Sequence, residues 1–133
     1  MQTRFPSPDE YSAEKARYPH LSVIDIRARQ QTASEPYRNE VLSDINEDCL
    51  RLAVFEGEYR WHCHPDSDEL FLVMAGRLQI ELAGRDALEL AEWQCLVVPA
   101  GTIHRTRAIG RTVNLTFERQ GAKTVFVESA EGP

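Results

Sequence analysis

The sequence predicts an all-β sandwich or barrel with a short helix at its N-terminus. Short stretches rich in β-branched residues recur along the chain, and turn-forming Gly, Pro, Asn and Asp separate them. Helix signals are confined to the beginning of the chain. The 133 residues suit one domain with one core. We therefore expect a helical lead at residues 1–20 and a single barrel domain at residues 21–133.

The N-terminal helix is predicted to begin after Ser7. Ser7 is a favourable N-cap, Pro8 suits the first helical position, and Glu10 stands three residues after the cap. The helix is expected to reach about Arg17, because Pro19 cannot continue it.

The first predicted strands follow this helix. LSVIDIRA, residues 21–28, has the β-branched alternation of a strand. After a polar connection, residues 40–64 predict a strand, an Asp/Asn turn and a long strand that is broken near Gly57.

Hairpins and further strands are predicted in the second half. MAGR, residues 74–77, and AGRD, residues 83–86, read as two hairpin turns. Residues 94–109, 111–118 and 124–128 then predict strands that are separated by Gly and Pro.

Composition and charge exclude several classes of function. The formal net charge is -6 and the pI is about 5.2, so the chain lacks the broad positive field that nucleic acids require. No apolar run has the length of a signal peptide core or a membrane span, and we expect a cytoplasmic protein without a membrane partner. Cys49, Cys63 and Cys95 are an odd number without CxxC spacing, which favours reduced thiols.

The chemistry-bearing residues lie in WHCHPDSDEL, residues 61–70. In an extended strand His62 and His64 project from one face and Cys63 from the other. PDSD is turn-like, which would bring Glu69 back beside the histidines, and His104 follows a second turn, VPAG. Taken alone, two histidines on a strand are more often ordinary surface or core residues. Three imidazoles with a carboxylate would instead suit one divalent metal: Fe, Mn, Ni, Zn, Co or Cu.

These residues lie in two patterns that resemble the cupin motifs. The first, usually written G-x5-H-x-H-x3,4-E-x6-G, is matched at Gly57, His62, His64, Glu69 and Gly76. The second, G-x5-P-x-G-x2-H-x3-N, is matched at Pro99, Gly101 and His104. The resemblance implies a small single-domain cupin with a double-stranded β-helix, or jelly-roll, barrel. It also implies one metal ion held inside the barrel by the three histidines and the glutamate.

The chain departs from these motifs at three points. Four residues instead of five separate Gly57 from His62, Trp93 replaces the Gly that opens the second motif, and Ala108 replaces its Asn. None of these changes removes a metal ligand. We expect them to alter the shape of a loop and the lining of the pocket.

Strand parity predicts the orientation of the side chains just before the histidines. Arg60 shares the parity of His62, so it is predicted to face the interior and clamp a substrate carboxylate or phosphate, or to pair at the barrel mouth with Glu58. Tyr59 and Trp61 are predicted to face outward, where they would cover a homodimer interface or pack within one chain.

The apolar wall of the barrel is predicted on the strands that follow. It comprises Phe71, Val73, Leu78, Ile80 and Leu82, and favours a small, partly hydrophobic ligand.

Two functions are consistent with these residues. One is a metal-dependent dioxygenase, isomerase or lyase that acts on a small organic molecule, with Glu69 leaving the metal to act as a base. The other is a non-catalytic module that binds a metal or a small ligand for sensing or storage. Fold alone does not separate the two, because one fold hosts many chemistries.

Overall fold

Residues 5–130, the part of the chain that the computed structural model describes, contain eight antiparallel strands and two short helices. The elements are α1 (Pro8–Ala13), α2 (Ile26–Gln31), β1 (Tyr37–Ile45), β2 (Asp48–Glu58), β3 (His62–Cys63), β4 (Glu69–Leu82), β5 (Arg85–Leu90), β6 (Cys95–Val98), β7 (His104–Arg119) and β8 (Val125–Phe126). The strand order is β1-β2-β7-β3-β8, and β4 pairs with β5, β6 and β7. This curled sheet confirms the all-β double-stranded β-helix with a short N-terminal helix.

Helix α1 begins as predicted and ends earlier. The side chain of Ser7 accepts a hydrogen bond from the Glu10 amide, and Glu10 accepts one from the Ser7 amide, which completes a capping box. Glu14 leaves the helical conformation, and its carboxylate accepts a hydrogen bond from the Val41 amide at 2.6 Å. The helix therefore stops before Arg17, because the chain pairs with β1 there instead.

The predicted strand at residues 21–28 is wrong. The carboxylate of Asp25 caps a helix by accepting a hydrogen bond from the Ala28 amide, and α2 follows it. Leu21 and Val23 are 107% and 96% exposed, so their alternation marks no buried face. Neither of the two described helices is long and apolar enough to cross a membrane.

Two of the predicted strand breaks are bends instead. MAGR forms no hairpin: β4 continues through Gly76, and β7 likewise continues through Gly110, each with a positive φ. Both strands shift register where β4 bends, which lets two long strands wrap around the barrel. AGRD does form the predicted hairpin, with Leu82 opposite Arg85.

Gly76 is required where β4 bends, and Gly76→Ala is expected to destabilise the protein by about 2–4 kcal/mol. Its φ is 89°, and an added Cβ would lie 2.7 Å from both the Arg111 carbonyl oxygen and the Thr112 hydroxyl. Gly84→Ala is the matched control, because Gly84 has a φ of 76° and nothing within 4 Å of an added Cβ. Urea denaturation of both variants checks this, and equal losses would contradict the steric argument.

The apolar core divides between the two faces of β2. One cluster contains Ala53 and Phe55 together with the predicted wall residues Phe71, Val73, Leu78 and Ile80, and Leu82 packs against it. The second cluster contains Leu52, Val54, Leu42, Val113 and Leu115, and Ile24 and Ile26 of the N-terminal region pack against it. The barrel wall is therefore packed on both faces, with one apolar cluster on each.

Candidate metal centre

All four predicted ligands come together inside the barrel. His62 lies on β3 opposite His104, the first residue of β7, while His64 follows β3 and Glu69 opens β4. One ligand atom from each side chain lies within 4.8 Å of the others. All four are buried, with exposures of 5% or less, and Cys63 is not among them. His62 and His64 therefore both reach the shared centre, as a pair of ligands must.

The turn PDSD is held in place by its aspartates. Asp66 accepts a hydrogen bond from the Lys123 amide, and Asp68 accepts one from the Ala100 amide in the loop before His104. The Gly101 amide donates to the His64 carbonyl oxygen. These contacts link the two motifs, which are far apart along the chain.

Backbone carbonyl groups orient the three imidazoles. The Nδ1 atoms of His62, His64 and His104 lie 2.7, 2.9 and 2.8 Å from the carbonyl oxygens of Arg60, Lys123 and Thr102. Because a carbonyl oxygen only accepts, each Nδ1 must carry the hydrogen. Each Nε2 is then directed toward the shared centre, which is the arrangement found around protein-bound metals.

Two buried atoms at this centre have no hydrogen-bond partner among the described residues. They are Oε1 of Glu69 and Nε2 of His104, which lie 3.5 Å apart. The same oxygen lies 3.3 Å from Nε2 of His64, also without hydrogen-bond geometry. Buried polar atoms are costly when unsatisfied. A divalent cation would satisfy both, and the donor set suits a first-row transition metal.

Charge within the cluster shifts its pKa values in different directions. Burial, together with His104 and His64, lowers the pKa of His62 to about 3. Burial also acts to lower the pKa of His64, but the charge of Glu69 outweighs it and raises this pKa to about 9. Burial acts to raise the pKa of Glu69, yet the two neighbouring histidines hold it well below its usual value. Without metal at neutral pH, the cluster holds a proton on His64 beside an ionised Glu69.

Metal affinity is expected to rise with pH up to about 9. Since a metal ligand must be a neutral imidazole, uptake must displace the proton that His64 holds below its raised pKa. Displacement of one proton corresponds to roughly a tenfold gain in affinity per pH unit. Competition with a chelator of known affinity at pH 7, 8 and 9 checks this. Affinity that is independent of pH over this range would contradict it.

The cavity beside the cluster has a volume of about 40 Å³. Phe55, Phe71, Tyr37 and Tyr59 supply much of its lining, and Phe71 is the one predicted wall residue among the described lining residues. Asn39, Thr106, Asn114 and Thr116 also line it, and motif reasoning missed these polar groups.

Tyr11 of α1 closes part of the cavity. Its ring stacks on His64 with centroids 5.8 Å apart, and its hydroxyl donates to Glu118 at 2.5 Å. Arg51 holds the helix by donating to the Tyr11 carbonyl oxygen, with its guanidinium 3.7 Å from the ring centroid. The N-terminal helix thus contributes to the site, which no sequence motif indicated.

The predicted orientations of Tyr59 and Arg60 are wrong. Residues 59–61 leave the strand between β2 and β3, so the alternation on which the prediction rested is lost. Tyr59 turns inward and lines the cavity, while Arg60 is exposed with its guanidinium 3.8 Å from the Phe126 ring centroid. Trp61 is half-buried beside the guanidinium of Arg105. A substrate role for Arg60 and the homodimer stay predictions, and Tyr59 no longer supports the latter.

Two departures from the motifs have structural consequences. Trp93 has a φ of 68°, the left-handed conformation that favours Gly, and its amide donates to the Val73 carbonyl oxygen at 2.7 Å. Its side chain is 73% exposed, so the bulk of the ring is accommodated outside the barrel. Ala108 is buried in the apolar cluster of the barrel wall. Neither change disturbs the four-residue cluster.

Comparison with known families agrees with this fold. The model of the Cupin domain family (Cupin_2) matches residues 51–117, which contain all four residues of the cluster. The chain belongs to the cupin family. Tyr11, Tyr37 and Asn39 of the cavity lie outside the matched residues.

Similar proteins include one of known sequence and several of known structure. The uncharacterized protein YdbB of Bacillus subtilis is 49% identical over 104 residues, which are 78% of this chain and 92% of that protein. A crystal structure of a cupin-2 domain containing protein from Shewanella frigidimarina is 29% identical with a TM-score of 0.68, covering 73% of this chain and 94% of that one. A structure described as DMSP lyases RdDddP and RnDddQII has 20% identity and a TM-score of 0.61, covering 69% of this chain and 53% of that one.

Proposed function

We propose that this cupin binds one divalent first-row transition metal ion and is a metal-dependent enzyme acting on a small organic molecule. The convergence of three carbonyl-oriented imidazoles on the unsatisfied Oε1 of Glu69 carries the metal proposal. His62, His64, Glu69 and His104 would be the ligands. The ion is Fe, Mn, Ni, Zn, Co or Cu, because imidazole-rich sites accept all of these.

The side chains around the cluster define what the site would do. A bound metal would supply Lewis acidity to a substrate oxygen. Glu69 is ionised at neutral pH, as a ligand or a general base requires. The ring of Tyr11 and the aromatic lining exclude bulk water from the centre. Oxygenation, isomerisation and elimination are the reaction classes that suit such a site. The similarity to the DMSP lyase structure, at 20% identity, is a similarity of fold alone.

A non-catalytic binding module is the second candidate. The small volume of the cavity, about 40 Å³, favours it, because little space is left beside the cluster for a substrate of ordinary size. In this case the barrel would hold a metal or a very small ligand without turnover.

Metal loading followed by a search for turnover tests the proposal. The metal-free protein is titrated separately with Fe²⁺, Mn²⁺, Ni²⁺, Zn²⁺, Co²⁺ and Cu²⁺, and elemental analysis is expected to show one tightly bound ion per chain. His20→Ala is the control variant and is expected to bind the ion as wild type does. His20 is exposed, and in the contacts described it meets only a backbone carbonyl oxygen. Failure to bind any of these ions would sink the proposal.

The loaded protein then separates the enzyme from the module. Small hydroxy, keto and carboxylic compounds are incubated with it in air and without oxygen, and products are sought by mass spectrometry. Product formation that depends on the metal favours an enzyme. Ligands that raise Tm without any product favour the module.

A further inference from the structure

The inner face of β7 carries a row of polar side chains beyond the metal ligand. Thr112, Asn114, Thr116 and Glu118 alternate along the strand and are all buried, while the apolar Val113 and Leu115 face the outer cluster. A barrel filled only by its own side chains would place the apolar residues inside. Thr112 donates to the Arg77 carbonyl oxygen and Glu118 accepts from the Tyr11 hydroxyl, which leaves Asn114 and Thr116 to be explained.

Two members of this row line the cavity and have unsatisfied oxygen atoms. Asn114 and Thr116 are 2% and 3% exposed, and neither Oδ1 of Asn114 nor Oγ1 of Thr116 has a hydrogen-bond partner among the described residues. Buried polar atoms in native proteins nearly always have partners, so two adjacent exceptions in one cavity need an explanation.

The neighbouring strands do not supply those partners. Thr116 is flanked by Phe71 on β4, and Asn114 by Val73 on β4 and Ala53 on β2. Arg51 is the remaining cross-strand neighbour of Thr116, and it does not line the cavity. Its Nη1 and Nη2 atoms donate to Glu14 Oε1, Asn39 Oδ1 and the Tyr11 carbonyl oxygen, and its Nε lies 3.8 Å from Glu118 Oε2.

The register places Thr116 within reach of a molecule at the metal centre. Thr116 pairs with Phe71, which is two residues along β4 from Glu69, a separation of about 7 Å along the strand. The cavity of about 40 Å³ has room for about three water molecules, or for a compact molecule of similar size.

The charge of the lining restricts that molecule further. None of the described residues that line the cavity is Lys or Arg, so an anionic group would have a cationic partner only at the metal. Asn114 Oδ1 can only accept a hydrogen bond, whereas the Thr116 hydroxyl can donate or accept one. A hydroxyl group on the ligand, which also donates and accepts, can therefore hydrogen-bond to both residues.

We propose that Asn114 and Thr116 form a hydroxyl-binding subsite, and that the substrate is a compact α-hydroxy carbonyl compound or vicinal diol without a second anionic group. One oxygen of this molecule would bind the metal held by His62, His64, Glu69 and His104, and the neighbouring hydroxyl would hydrogen-bond to Asn114 and Thr116. This inference rests on the proposed metal site and specifies what that site binds.

The subsite is tested by changing the ligand and the side chain in parallel. The probes are hydroxyacetone and butanone, in which a methyl group replaces the hydroxyl, and binding to the Co²⁺-loaded protein is followed by its visible absorption. Thr116→Val removes the hydroxyl while retaining the shape of the side chain. The preference for hydroxyacetone over butanone is expected to fall roughly three- to tenfold in this variant, and similarly in Asn114→Leu.

Thr112→Val is the matched control on the same strand. Thr112 is fully buried, does not line the cavity, and its hydroxyl lies 3.0 Å from the Arg77 carbonyl oxygen. This variant is expected to keep the preference and lower Tm. Thr116→Val should keep or raise the Tm of the ligand-free protein, because the hydroxyl it removes has no hydrogen-bond partner within residues 5–130.

The outcomes separate this inference from the metal proposal. An unchanged preference in Thr116→Val, with one Co²⁺ per chain, overturns the subsite and leaves the metal site standing. Wild-type protein that retains none of the six ions, Co²⁺ included, overturns the metal proposal and the subsite with it.

Discussion

Replacement of His104 by alanine is expected to abolish stoichiometric metal binding. His104 is 1% exposed, and its Nε2 is one of the two unsatisfied atoms at the centre. Its removal leaves two imidazoles and one carboxylate, those of His62, His64 and Glu69. Loss of a residue that merely orients a ligand costs about 10–100-fold in affinity, so loss of the ligand itself should cost more than about 100-fold.

Elemental analysis and thermal unfolding measure this effect separately. Wild-type protein should gain stability from the added metal, since a ligand that binds only the folded state stabilises it, and His104→Ala should gain none. His20→Ala is expected to behave as wild type in both measurements. One ion per chain at undiminished affinity in His104→Ala would contradict the proposed ligand set.

Arg51→Met is expected to destabilise the protein by about 3–5 kcal/mol. Arg51 is 1% exposed and lies 3.8 Å from Glu118, while its donors satisfy Glu14, Asn39 and the Tyr11 carbonyl oxygen. Methionine retains much of the apolar volume but leaves these acceptors without their cationic partner. Since the guanidinium attaches α1 to the barrel, we also expect Tyr11 to leave the cavity.

Arg107→Met is the control for this prediction. Arg107 is 52% exposed and lies 3.7 Å from the half-exposed Glu58, so its loss should change stability by no more than about 0.5 kcal/mol. Urea denaturation gives the free energy of unfolding for both variants. A loss below about 1 kcal/mol in Arg51→Met would mean that the ion pairs and hydrogen bonds of Arg51 contribute little to stability.

Local patterns predicted those features that depend on neighbouring residues. The capping box at Ser7, the hairpin at AGRD and the turn at PDSD follow from short-range hydrogen bonds and turn preferences. The strand at residues 21–28 failed because Asp25 caps a helix there, and the alternating apolar residues are not buried. Periodicity alone does not separate such short segments into helix and strand.

The sequence by itself determined the cupin family and the four candidate ligands. Within each of the two motifs the ligands have a fixed spacing, and the turns between them are formed by neighbouring residues. Only the tertiary structure decided which other groups face the metal centre. Tyr11 reaches it because buried Arg51 holds α1 against the barrel, and Tyr59 turns inward because the chain leaves the strand between β2 and β3. Asn114 and Thr116 are buried because β7 pairs with β2 on one side and with β4 on the other, which places Ala53, Phe71 and Val73 beside them. These placements result from packing between distant segments, which neighbouring residues along the chain do not encode.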